Sequence, residues 1–156
     1  LATGSARPPG LEDGTYDVVT MWFVIEHLAG LKTAVATVRG LLREGGVFAF
    51  STPNAAGISG RTRFKRFLEQ SPADHFTIWS PAVARRVFHE HGFRVREIRV
   101  TGHHAERFPV LGRLATRRPG LAGLLTRVSV LFGLGDTFEV YAVKNGGESV
   151  RTGGPR

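Results

Sequence analysis

Residues 15–54, TYDVVTMWFVIEHLAGLKTAVATVRGLLREGGVFAFSTPN, constrain the fold more than any other stretch of the chain. Residues 16–21 are an apolar run rich in β-branched side chains, opened by the turn signal Asp13-Gly14, and read as a buried strand. Leu31, Ala34, Val35, Val38, Leu41 and Leu42 then recur three and four apart, so a helix puts them on one face and Lys32, Thr33, Thr37 and Arg39 on the other. Gly45-Gly46 is expected to stop this helix, because glycine adopts a left-handed cap without a Cβ clash. Residues 47–51 form a second buried strand that ends at Thr52-Pro53-Asn54, where proline cannot extend a central ladder. Two apolar strands joined by an amphipathic helix predict a right-handed βαβ unit in a parallel sheet covered on both faces. Ligands of such sheets bind beyond the C-terminal strand ends, so residues 21–27 and 51–55 are the expected seat of function.

The flanking sequence extends this unit. Residues 1–14 are a connector of Gly, Pro and small side chains, expected to enter from preceding structure. Residues 55–75 turn to Gly, Arg and Phe; Phe64, Phe67 and Leu68 share a helical face flanked by cations, an insertion able to cover a site. Ser80-Pro81 is a helix start, with serine as cap and proline preset for the first turn. Val83, Ala84, Val87, Phe88 and His91 form that helix's inner face and Gly92 closes it. Residues 93–101 are a third strand whose apolar phase changes near Arg96, which predicts a bulge. Residues 102–135 are a second insertion, helical in part, mixing leucines with arginines and interrupted at Pro119-Gly120. Residues 137–144 are a last strand, and residues 145–156 a glycine-rich tail expected to be disordered.

Composition excludes some chemistries. With no cysteine there is no disulfide, zinc-thiolate centre or thiol nucleophile. No apolar run reaches the ~20 residues of a membrane-spanning helix, and a cytoplasmic location is the default. A net charge of +8 suits an anionic substrate, an acidic membrane surface or nucleic acid, or reflects no partner at all.

The order of elements resembles the C-terminal half of the class I S-adenosylmethionine-dependent methyltransferases, and so do the motifs. Tyr16-Asp17-Val18-Val19-Thr20 followed by Val24-Ile25-Glu26-His27-Leu28 is similar to the family's fourth-strand motif. Leu41-Leu42-Arg43-Glu44-Gly45-Gly46 with Ser51-Thr52-Pro53-Asn54 resembles the signature around its fifth strand, and Ser80-Pro81 through His91-Gly92-Phe93 the segment before the sixth. The ubiquinone-biosynthesis-type small-molecule enzymes look closest. The resemblance implies an α/β, doubly wound, mostly parallel Rossmann-like sheet over residues 1–144, with the last strand antiparallel between its neighbours. It also implies that the earlier strands, with their glycine-rich donor loop, lie upstream of Leu1.

The implied cofactor is S-adenosyl-L-methionine. Its contacts here would be Ser5 and Ala6 beside the adenine, Met21 and Trp22 beside the methionine arm, and His27 near the transferred methyl. His27 is the candidate base, since imidazole ordinarily titrates near neutrality, with Glu26 beside it. No metal is expected; the alternative is a divalent ion on Glu26, His27 and His75, as in some relatives that carry one more acid where this chain has Phe23. His89, His91, His103 and His104 read as solvent-facing or capping groups. The function implied is methyl transfer to a small-molecule hydroxyl, with no nucleic acid and at most weak membrane-surface contact. The rival readings are a non-catalytic basic binding module and a nicotinamide-dependent oxidoreductase, the latter without a local motif.

Overall fold

The computed structural model describes residues 10–146. Four strands, β1 (Tyr16–Trp22), β2 (Leu42–Pro53), β3 (Phe93–Thr101) and β4 (Thr137–Lys144), form one sheet in the order β1-β2-β4-β3. β1 and β2 are parallel, whereas β4 runs antiparallel to both β2 and β3. The antiparallel insertion of the last strand is as expected, but only one of the described pairings is parallel.

Two helices cover one face. α1 (Leu31–Leu41) contributes Val35 and Val38, and α4 (Pro81–Glu90) contributes Ala84 and Phe88, to a core shared with Phe48 and Phe50 of β2 and Val140 and Ala142 of β4. Phe48 and Phe50 lie two apart on β2 and so point the same way, and Phe50 stacks on Phe88 at 4.9 Å. The Ser80 hydroxyl accepts from the Val83 amide, with Pro81 in the first turn of α4, as its sequence predicts. The change of phase in β3 is a register shift between Val95 and Glu97.

Three expectations are corrected. Gly45-Gly46 does not end α1, which closes at Leu41 with Leu42 already extended; the glycines belong to an irregular start of β2. Tyr16 pairs with Leu42 and Val18 with Val47, so the intervening residues of β2 bulge, with Gly45 at φ 73°. β1 is not a buried strand: Val18 is 53% exposed, because among the described residues nothing pairs with its outer edge or covers its second face. On the face opposite Phe48 and Phe50, Ala49 and Ser51 of β2 are buried, but among the described residues Arg99, Glu139 and Tyr141 are half-buried or exposed. Pro119-Gly120 opens a helix instead of interrupting one, since proline fits the first turn.

The two arginine-rich stretches are helical in part. α2 (Ile58–Thr62) and α3 (Phe64–Glu69) follow β2, and α5 (Leu111–Ala115) and α6 (Pro119–Leu131) follow β3. Asp136, just before β4, ties the two together: it accepts from the Ser59 amide at 2.9 Å, the Ser59 hydroxyl at 2.8 Å and Arg107 at 2.6 Å. Buried Asn54 adds a second clasp, donating to the Gly135 carbonyl at 2.8 Å and accepting from the Ala56 amide at 3.0 Å. No helix among the described residues is long and apolar enough to cross a membrane.

Candidate active site

The chain leaves β1 abruptly. Phe23 has φ 53°, a region that non-glycine residues occupy at a cost, and its amide donates to the carbonyl and the hydroxyl of Ser51 at 3.1 and 3.2 Å. The turn stands Trp22 and Phe23 out at the tip of the sheet, 46% and 52% exposed. A single 3₁₀ turn, Ile25–His27, follows. Ile25 is fully buried in the core and anchors the turn, which carries Glu26 inward and His27 to its rim.

Glu26 is the unusual member. It is 2% exposed, and its Oε2 atom is buried without a hydrogen-bond partner, which is costly for a carboxylate. The loop after α3 closes over it, the Phe76 and Thr77 amides donating to the Glu26 carbonyl at 2.8 and 3.2 Å. That loop brings His75 against His27, ring centroids 4.5 Å apart and edge to face, and sets Asp74 Oδ2 3.0 Å from His27 Nδ1. The approach from Asp74 is off the line of a hydrogen bond, so the contact is one of proximity and charge and not a directed bond. Glu26, His27 and His75 each offer a ligand atom within 4.8 Å of the others, an arrangement able to share a proton or hold a cation.

A cleft of about 570 Å³ opens beside this cluster, with His75 on its wall. It is lined by Pro53 and Thr137 at the strand ends, by residues of α2 and α3, and by His104, Glu106 and Arg107. A smaller recess shares Pro53, Phe67, Ser71 and His75 with it and reaches Glu26 and Thr52. The hydroxyl of Thr52 is buried there and, like Glu26 Oε2, unpartnered.

The structure thus joins Met21, Trp22, Glu26, His27 and His75 at one end of the sheet, whereas Ser5 and Ala6 lie outside the described residues. His103 and His104 are drawn into hydrogen bonds, His103 Nδ1 meeting Ser129 Oγ at 2.7 Å and His104 Nδ1 meeting Glu106 at 3.1 Å. His91 caps α4 through the Val87 carbonyl and His89 is exposed, as expected of both. Asp74 and the Asp136–Ser59–Arg107 clasp were not anticipated; for Asp74 its adjacency to His75 was the available signal, and for the clasp, spread over 77 residues, there was none.

A family model described as a methyltransferase domain matches residues 5–98. Among solved structures, similar chains include one from the complex between the Haloferax volcanii Trm112 methyltransferase activator and a putative methyltransferase. That match has 18% identity, a TM-score of 0.60, and covers 88% of this chain and 57% of that one. Another is a SAM-dependent methyltransferase from Archaeoglobus fulgidus, at 15% identity and TM-score 0.57, covering 86% of this chain and 62% of that one. A putative methyltransferase from Bacillus halodurans matches at 14% identity and TM-score 0.57, covering 88% and 73%. No curated protein matches the sequence significantly. The chain spans about 57–62% of the length of the first two structures, and at these identities the likeness is one of fold. The family match over residues 5–98, together with the ordered motifs and the cleft at the sheet's C-terminal edge, makes this chain a member of the methyltransferase-domain family.

Proposed function

We propose that the full-length protein transfers a methyl group from S-adenosyl-L-methionine to a hydroxyl of a small-molecule acceptor. The observation that carries this reading is the convergence of the exposed β1 tip, the Glu26–His27–His75 cluster and the cleft on one edge of the sheet. Residues 21–23 fit one wall of a donor site, because Trp22 and Phe23 form an apolar ledge held open by the turn at Phe23. Met21 and Trp22 would border the methionine arm, and Ser5 and Ala6 the adenine. The donor supplies an electrophilic methyl; the protein's share is to align the acceptor oxygen with it and to exclude water.

His27 receives the acceptor's proton in this account. Its Nδ1 faces Asp74, which leaves Nε2 to meet a hydroxyl, and the Asp74 carboxylate stabilises the imidazolium that forms. Full-length protein supplied with S-adenosylmethionine and a panel of hydroxylated small molecules should release S-adenosylhomocysteine. His27→Ala should lower turnover about 10²–10⁴-fold while donor affinity holds. Unchanged turnover in the variant contradicts the role of His27; absence of both donor binding and turnover contradicts the whole reading.

The unpartnered Glu26 Oε2 favours a second reading of the same cluster, in which Glu26, His27 and His75 hold a divalent cation. Such an ion would orient the acceptor oxygen and lower its proton affinity. Turnover abolished by a chelator and restored by Mg²⁺, Mn²⁺ or Zn²⁺ selects this reading over the free base. A purely basic binding module is not favoured, since nothing in that role calls for a buried carboxylate beside two imidazoles.

A further inference from the structure

The arginines of the cleft are not equivalent. Arg107 is compensated by Asp136 at 2.6 Å, and His104 by Glu106 at 3.1 Å. On α3, Lys65 and Glu69 pair with each other at 3.8 Å, and neither lines the cleft. Arg63 and Arg66 do line it, and no carboxylate among the described residues pairs with either guanidinium. Arg63 is the non-helical junction between α2 and α3, and Arg66 lies three residues further on in α3, so both arise from one short stretch of the cleft lining. The lining they share with His75 is partly apolar, through Phe67 and Pro72.

We infer that Arg63 and Arg66 hold an acidic group, carboxylate or phosphoryl, of the acceptor. This rests on the proposed methyl transfer in the same cleft and adds a substrate class to it: a compact, partly apolar hydroxy acid or phosphorylated alcohol. Its anion sits at α3, and its hydroxyl lies toward His75 and His27. Guanidinium groups bind either anion through paired, charge-assisted hydrogen bonds, with little reorganisation of the planar head. The apolar wall takes the connecting carbon framework. Charges left uncompensated inside a concave wall are also placed to draw an anion in from solution.

The test titrates the full-length protein with benzoate, phenyl phosphate and neutral benzyl alcohol, following backbone amide shifts and heats of binding. At least one anion should bind saturably, with shifts centred on residues 59–70, and about tenfold more tightly than benzyl alcohol; which anion binds better separates a carboxylic from a phosphorylated acceptor. The double variant Arg63→Gln/Arg66→Gln should lose about tenfold in anion affinity and none for the alcohol, while Lys65→Gln changes neither. Both arginines are exposed, so the variant folds, and an unchanged melting curve verifies it. Binding should weaken as salt is raised. Failure of both anions to bind, equal binding of benzyl alcohol, or full anion affinity in the double variant overturns the inference. S-adenosylhomocysteine binding, measured on the same samples, reports separately on methyl transfer: donor binding without anion preference sinks only the arginine assignment.

Discussion

Replacing Glu26 by methionine should make the ligand-free protein more stable. Glu26 is 2% exposed and its Oε2 has no hydrogen-bond partner, so folding strips water from a carboxylate and returns nothing for that atom. A buried polar atom left unsatisfied costs about 1–3 kcal/mol, and even a buried ion pair replaced by apolar residues of similar volume often leaves stability unchanged or raises it by about 1–4 kcal/mol. Methionine matches glutamate in length and flexes to fill the recess beside Trp79 and Phe67. The expected gain is about 1–3 kcal/mol, which for a chain of this size raises Tm by roughly 3–10 °C. Thermal and urea unfolding of wild type and Glu26→Met, each with a chelator present, measure it. Added Mn²⁺ or Zn²⁺ then separates the two readings of the cluster. If a cation belongs there, at a concentration 100-fold above its Kd it should stabilise wild type by about 2.7 kcal/mol and leave the variant unmoved. A destabilisation of more than about 1 kcal/mol by Glu26→Met would refute the reasoning, because the carboxylate must then contribute net favourable interactions in the folded protein.

Other perturbations have outcomes set by single contacts. Asp136→Ala leaves Ser59 and Arg107 without their acceptor and should cost about 2–3 kcal/mol in urea unfolding, whereas Arg107→Ala, at a side chain 45% exposed, should cost under about 1 kcal/mol. Gly57→Ala would drive a Cβ into the Gly135 carbonyl and the Asp136 carboxylate, and should lower stability by about 1–3 kcal/mol in thermal melts. Glu97 is held below its ordinary 4.5 by a hydrogen bond from Arg99; its small contribution is complete above pH 4.5 and fades as acid protonates it below that. Glu97→Gln should therefore flatten the acid limb of the stability profile slightly, and a variant curve steeper than wild type would contradict the pairing.

Much of the scaffold was legible because its signals are local. The limits of β4, the Ser80 cap and the irregularity near Arg96 each follow from a few adjacent residues, and the structure has all three. Gly45-Gly46 misled because a glycine pair after a helical stretch serves equally as a cap or as a bulge, and the choice rests on Tyr16 and Val18 in another strand. Val18 reads as core from its side chain alone, but its burial depends on a neighbour across the strand edge. At the site, motif order brought Glu26, His27 and His75 forward as a set, and they do meet. What could not be read was Glu26's isolation, since that depends on how residues 74–79 fold back over it, and the compensation of Arg107 by Asp136, which among the described residues leaves Arg63 and Arg66 without a carboxylate partner on the cleft wall.

The central claim is that the tip of the sheet after Trp22 is one wall of a methyl-donor site. Amide hydrogen exchange of the full-length protein with and without S-adenosylhomocysteine tests it directly. Saturable binding with slowed exchange concentrated in residues 21–27 is the predicted result; binding that leaves those amides untouched, or no binding at any accessible concentration, would contradict it.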